Sequence, residues 1–176
     1  MPPALPKLTL VTGGARSGKS RWAEDLARAS QRPRRYIATA QAFDAEMADR
    51  IAHHRHQRGD GWITVEAPLD LGAAIAGARP DEVVLVDCLT LWLTNHLLAD
   101  HDLPAEAGRL LSALAACPAA VICVTNEVGW SIVPADPLSR RFRDEQGRLN
   151  QQVAGQADLA VAVLCGLPVA LKGQLP

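Results

Sequence analysis

The segment Gly13-Gly14-Ala15-Arg16-Ser17-Gly18-Lys19-Ser20 constrains this chain more than any other. It follows an apolar, β-branched run, Leu8 to Thr12, and opens a stretch with helical spacing, Ser20 to Ser30. The pattern G-x-x-x-x-G-K-S between a strand and a helix is that of a P-loop. Its chemistry dictates its spacing. Glycines let backbone N–H groups turn inward around phosphate oxygens, and the helix N-terminus adds the positive end of its dipole. Lys19 then reaches the β- and γ-phosphates, and the Ser20 hydroxyl ligates Mg²⁺. Only three of the 18 basic residues are lysines, and one stands at the position this motif requires.

The rest of the chain agrees with such a unit. Apolar runs at Leu8 to Thr12, Tyr36 to Ala40, Val83 to Asp87, Val121 to Thr125, Leu159 to Leu164 and Val169 to Leu171 read as buried strands. Helical spacing fills Ser20 to Ser30, Asp44 to Gln57, Leu89 to Leu98, Pro104 to Ala116 and Pro137 to Ala157. Alternation of this kind requires crossover connections. The expected fold is therefore a three-layer α/β fold of the P-loop NTPase (RecA-like) class with a mainly parallel sheet. The short link Cys165-Gly-Leu-Pro168 makes the last strand an antiparallel edge. At 176 residues the chain is sized for one P-loop α/β domain over residues 1–176. Residues 58 to 70, with Gly59, Gly61 and Pro68, are expected to form a mobile loop.

Composition removes several classes. A net charge of -1 argues against nucleic acid as a partner. No run of 18 apolar residues exists, so no membrane span is expected, and the N-terminus lacks a signal-peptide pattern. The four cysteines show no C-x-x-C spacing, and Cys88, Cys123 and Cys165 read as buried core in a reducing, cytoplasmic compartment.

A P-loop needs a carboxylate for its metal at the end of a neighbouring strand, and Asp87 fits. The same residue also suits capping of the helix that starts near Leu89. Thr125-Asn126-Glu127 ends another strand and is expected to face the same site. On the helix Asp44 to Gln57, the positions Phe43, Met47, Ile51 and His54 recur at core spacing, while Glu46, Arg50, His53 and Gln57 form a polar stripe. Periodicity alone makes His53 a solvated surface residue, His54 a half-buried structural one, and His96 a satisfied core or capping residue. The run His53-His54-Arg55-His56 does not have zinc-ligand spacing.

Taken in order, GGARSGKS, Tyr36-Ile-Ala-Thr-Ala40, Glu46-Met-Ala-Asp-Arg-Ile-Ala-His-His54, Val86-Asp-Cys-Leu-Thr90, Val124-Thr-Asn-Glu-Val-Gly129 and Phe142-Arg-Asp-Glu-Gln-Gly-Arg-Leu-Asn-Gln151 closely resemble the bifunctional adenosylcobinamide kinase/adenosylcobinamide-phosphate guanylyltransferase family of cobalamin biosynthesis. The resemblance spans about residues 8 to 172. It implies phosphorylation of adenosylcobinamide by ATP or GTP at a P-loop. It then implies transfer of GMP from GTP, through a guanylylated histidine, to adenosylcobinamide phosphate with release of pyrophosphate. The resemblance assigns the nucleophile to His53 and makes Lys19 its catalytic partner. It places nucleotide contacts on Gly13, Gly14, Ala15, Arg16, Ser17, Gly18, Lys19, Ser20, Ala38, Thr39, Ala40, His54, Arg55, His56, Gln57, Glu66 and Asp87. Mg²⁺ falls to Ser20 and Asp87, and the assembly implied is a homotrimer. Two positions depart from the pattern: Asp87 stands where Glu is common, and Ala40 where Ser is common. Two rivals remain, a P-loop small-molecule kinase without guanylyl transfer and a non-catalytic nucleotide switch. No switch-loop Gln or Arg-finger pattern supports the second rival.

Overall fold

A computed structural model describes residues 5–42 and 45–176, apart from the side chains at positions 46, 47, 50, 54, 55 and 57. The elements run β1 (Leu8–Thr12), α1 (Lys19–Ala29), β2 (Arg34–Ala38), α2 (Ala45–Arg58), β3 (Trp62–Glu66), α3 (Leu71–Ala76), β4 (Val83–Asp87), α4 (Leu89–Leu98), α5 (Leu103–Ala116), β5 (Ala120–Val124), α6 (Pro137–Gln156), β6 (Leu159–Leu164) and β7 (Leu167–Lys172). Among the described residues the sheet has seven strands, in the order β3-β2-β4-β5-β1-β6-β7. The neighbours are parallel except β6 and β7.

Strand side chains alternate between the two faces. Val84 and Val86 join Leu71, Leu93, Leu110 and Val153 in a core beneath α3 to α6. Val83 and Leu85 join Ala23, Leu26 and Ala27 of α1 in a second core on the opposite face. Both faces being covered, the central strands are continuously apolar. Each fully buried Leu or Ile side chain contributes about 1.5–3 kcal/mol. The three-layer α/β expectation therefore holds, and so does the antiparallel edge. The β6–β7 hairpin turns on Cys165 and Gly166, whose φ values of 53° and 80° are those a type I′ turn needs.

Three expectations change. Residues 58 to 70 are not one loop: Trp62–Glu66 forms β3 and pairs along β2. As an edge strand it has exposed Ile63 and Glu66 among half-buried Trp62, Thr64 and Val65, so it lacks the continuous apolar run of the inner strands. Residues 71–76 form α3, too short for helical periodicity to show, with the Asp70 carboxylate accepting from the Ala73 N–H at its start. Cys165, expected in the core, is exposed on the hairpin turn, whereas Cys88, Cys117 and Cys123 are buried. β2 also begins and ends two residues earlier than expected, so Thr39 and Ala40 lie past its end. Among the described residues no helix is long and apolar enough to cross a membrane.

Candidate active site at the carboxyl ends of the strands

Parallel strands place the residues that follow β1, β2, β3, β4 and β5 along one edge of the sheet. The P-loop leaves β1 there. Gly18 sits just before α1 at φ 94°, in the left-handed region, and an added Cβ would come within 3.2 Å of Gly166 Cα. At Gly13 a Cβ would meet Ser17 Oγ at 2.5 Å and the Val163 carbonyl at 2.7 Å. Close approach therefore requires glycine at 13, and close approach together with the left-handed backbone requires it at 18. The Ser17 carbonyl accepts from Gly166 N at 2.8 Å and the Gly13 carbonyl from Glu127 N at 3.1 Å, which ties the loop to its neighbours. Lys19 is buried, and its ammonium donates to the Gly14 carbonyl at 3.0 Å. Burial holds its pKa below the ordinary lysine value, while the Asp87 carboxylate pulls the other way. Ala15 and Arg16 are exposed at the tip.

Asp87 ends β4. In the sheet register Ala38 lies between Glu66 and Asp87, and Asp87 lies beside Val124. The candidate ligands Ala38, Glu66 and Asp87 thus form one cross-strand row. The α4 N-cap is Cys88, with no side-chain capping bond, so Asp87 does not cap the helix. It accepts instead from the Tyr36 hydroxyl, 3.1 Å from Oδ2. Burial and then the Asp87 charge push the Tyr36 hydroxyl well above the usual tyrosine range, so it stays a donor. The Arg58 guanidinium stacks 3.4 Å from the centre of the Tyr36 ring and fixes it. Glu24, one turn past Ser20 on α1, has its carboxyl pKa raised by burial, partly offset by Arg28 and raised further by Asp87. Ser20 and Asp87 supply hard oxygen donors of the kind Mg²⁺ takes. Two carboxylates that feel each other beside a buried lysine fit a cation there. Cys88, next to Asp87, is pushed up to about 11 by burial and by that carboxylate, so it remains a thiol and not a nucleophile.

Thr39 is fully buried and spends every polar atom inside the protein. Its hydroxyl donates to the Cys88 carbonyl at 2.7 Å and accepts from Cys88 N at 2.8 Å. Its N–H donates to the Asp87 carbonyl at 3.3 Å, and its carbonyl accepts from Asn95 Nδ2 at 2.8 Å. Thr39 is therefore placed as a support for the Asp87-Cys88 turn and not at the open face of the site. Thr39→Val keeps the shape and strands two buried Cys88 groups. It is expected to cost about 1–3 kcal/mol in denaturant unfolding.

β5 lies between the P-loop strand and the Asp87 strand. Its end is held by a buried polar cluster: Thr125 Oγ1 donates to Asn150 Oδ1 at 2.7 Å, Gln146 Nε2 donates to both, and Asn150 Nδ2 donates to the Asn126 carbonyl at 3.0 Å. Thr90 Oγ1 accepts from Asn126 N at 2.8 Å. Asn150 thereby orients Asn126 and Glu127 between cradle and carboxylate. Tyr36, Arg58, Thr90 and Gln146 were not singled out by sequence reasoning for this site. Tyr36, the only tyrosine and a polar tip inside an apolar strand, carried a readable signal; the others did not.

His53 and His56 are exposed on α2, and Ile51 is half-buried. Phe43 and the side chains of Met47, His54, Arg55 and Gln57 lie outside the described residues. The C-terminal end of α2 is held against β2 and α1 by Arg58, stacked on Tyr36 and with its carbonyl accepting from Arg28 at 3.0 Å. His53 is five residues earlier, about 7.5 Å along the helix axis.

The family model for cobinamide kinase / cobinamide phosphate guanyltransferase matches residues 9–171. The chain belongs to this family. It is 49% identical over 168 residues to the bifunctional adenosylcobalamin biosynthesis protein CobP of Pseudomonas aeruginosa, covering 94% of this chain and 97% of that one. It is 46% identical over 181 residues to the bifunctional adenosylcobalamin biosynthesis protein CobU of Escherichia coli K12, covering 94% and 99%. Solved structures similar in fold include the RadB recombinase, at a TM-score of 0.53 and 19% identity, covering 90% of this chain and 74% of that one. Another is the assembled ATPase EscN of the enteropathogenic E. coli type III secretion system, at 0.57 and 13%, covering 91% and 43%. These likenesses establish the P-loop fold, and the family match gives the activities: cobinamide kinase and cobinamide-phosphate guanylyltransferase, in cobalamin biosynthesis.

Proposed function

We propose that one P-loop site serves both reactions and that His53 carries the guanylyl group between them. The observation that carries this reading is the convergence of Lys19, Ser20 and Asp87 at one strand edge, with α2 linked to Asp87 by Arg58 stacked on Tyr36. In the kinase step ATP or GTP binds on Gly13 to Ser20. The aminopropanol hydroxyl oxygen of adenosylcobinamide attacks the γ-phosphorus, the bond to the β-phosphate breaks, the hydroxyl proton passes to solvent, and the nucleoside diphosphate leaves. Lys19 stabilises the charge that develops on the phosphoryl oxygens.

In the second reaction the neutral His53 imidazole attacks the α-phosphorus of GTP. A P–N bond forms, the bond to the β-phosphate breaks, and pyrophosphate leaves. A phosphate oxygen of adenosylcobinamide phosphate then attacks the same phosphorus. The P–N bond breaks, His53 is regenerated, and adenosyl-GDP-cobinamide is released. Two successive displacements let one nucleotide pocket serve both acceptors. Ser20 and Asp87 would hold Mg²⁺, which would supply charge neutralisation on the phosphates. The remaining nucleotide contacts fall on Ala38, Ala40, His54, Arg55, His56, Gln57 and Glu66.

The proposed compartment is the cytoplasm, in keeping with cysteines that lack C-x-x-C spacing and an N-terminus without a signal-peptide pattern. The family resemblance favours a homotrimer, and the exposed Trp130, Ile132 and Val133 after β5 offer an apolar surface for self-association. A slowly hydrolysed GTP analogue tests the shared pocket. It is expected to inhibit both activities with equal inhibition constants. Constants that differ by about tenfold, or 1.4 kcal/mol, contradict a single pocket.

A further inference from the structure

The end of α4 away from Asp87 holds a second group of ligating side chains. α4 and α5 are joined by a tight reversal through Ala99 to Asp102, in which Asp100 has φ 55° and His101 N donates to the His96 carbonyl at 3.1 Å. The reversal brings the last turn of α4, with His96, against His101 and against Glu106 in the first turn of α5. One ring nitrogen from each histidine and one carboxylate oxygen of Glu106 all lie within 4.8 Å of one another. His96 is buried, Glu106 half-buried and His101 exposed.

Hydrogen bonding fixes the state of His96. Its Nε2 lies 3.2 Å from the Leu69 carbonyl, which also accepts from Trp92 Nε1 at 2.9 Å. A carbonyl only accepts, so Nε2 carries the proton. In the neutral ring the lone pair is then on Nδ1, which faces His101 Nδ1 at 2.8 Å. The Trp92 ring packs at 4.6 Å from the imidazole and holds its plane. An imidazole oriented by a carbonyl on one nitrogen, with its other nitrogen bare, is the usual arrangement of a metal-bound histidine.

We propose that His96 Nδ1, His101 and Glu106 form a site for a divalent transition-metal ion of the zinc class. Two imidazoles and a carboxylate are a ligand set typical of Zn²⁺. Imidazole suits Zn²⁺, Co²⁺ and Ni²⁺, whereas Mg²⁺ prefers oxygen donors, which separates this site from the P-loop. Tetrahedral bonds of about 2.0–2.1 Å set two ligand nitrogens about 3.3 Å apart, so the pair has to open by about half an ångström. The exposed His101 provides that movement, and its proton moves to the other ring nitrogen without any change of charge. The ion pair of Glu106 with Arg109 is its competitor, and it is weak because Arg109 is solvent-exposed. A cavity of about 290 Å³, lined by Trp92, His96, Glu106, Asp70 and Arg109, leaves room for a fourth ligand such as water. The ion would clamp the end of α4 to the start of α5 across the reversal.

The test is a Co²⁺ titration of the metal-stripped full chain in excess Mg²⁺, followed by visible absorption and by displacement with Zn²⁺. One equivalent is expected, with a band of tetrahedral intensity. His101→Ala and Glu106→Gln should each weaken binding at least tenfold. A double variant His53→Ala, His56→Ala should leave it unchanged, and Zn²⁺ should raise the Tm of wild type but not of His101→Ala. Absence of the band in wild type overturns the proposal. So does undiminished binding in His101→Ala, or loss of binding in the α2 double variant.

Discussion

Lys19→Ala is expected to lower both the kinase rate and the guanylyl-transfer rate by about 10²–10³-fold, the effect of removing one preorganised charge-stabilising donor. The buried ammonium sits in the P-loop, 3.0 Å from the Gly14 carbonyl, where a compact rotating donor fits. In the proposed mechanism both reactions place growing negative charge on a leaving phosphate, so one cation would serve both. Lys19→Arg should rescue little, because a planar guanidinium needs more room than a loop closed by Gly13 and Gly18 allows. Steady-state assays of each half-reaction in the same preparation check this. A variant that loses one activity and keeps the other at wild-type rate contradicts a shared cradle.

His53→Ala is expected to remove guanylyl transfer to below detection and to leave the kinase rate within a few-fold of wild type. The difference follows from chemistry. Covalent transfer has no route without its nucleophile, whereas phosphoryl transfer to a hydroxyl relies on positioning and charge. His53 is exposed on α2, so its loss leaves no cavity, and the Tm should stay close to that of wild type. Separate assays with adenosylcobinamide and with its phosphate distinguish the two effects.

Much of the fold was legible in the sequence because the inner strands are buried on both faces and read as unbroken apolar runs, as in Val83 to Asp87. β3 escaped because an edge strand covered on one side mixes Thr64 and Glu66 with Ile63 and Val65. α3 escaped because six residues are fewer than two helical turns. In the site, the cradle and Asp87 were legible from local motifs. The supports were not. Tyr36 meets Asp87 across 51 residues of sequence, Thr39 meets Cys88 across 49, and Gln146 meets Thr125 across 21. Such contacts arise only once the strands are ordered β2-β4-β5. The histidine pair was separable by helical phase, yet phase alone made His53 a surface residue. Only the family motif gave it chemistry.

In the proposed mechanism GMP rests on His53 between the two displacements. The direct measurement is incubation with GTP labelled on the α-phosphate, followed by denaturation and peptide mapping. Label is expected on one peptide of α2, at His53, stable to alkali and lost in acid as a phosphoramidate is, and absent from His53→Ala. No label on wild type, or label that persists in His53→Ala, contradicts it.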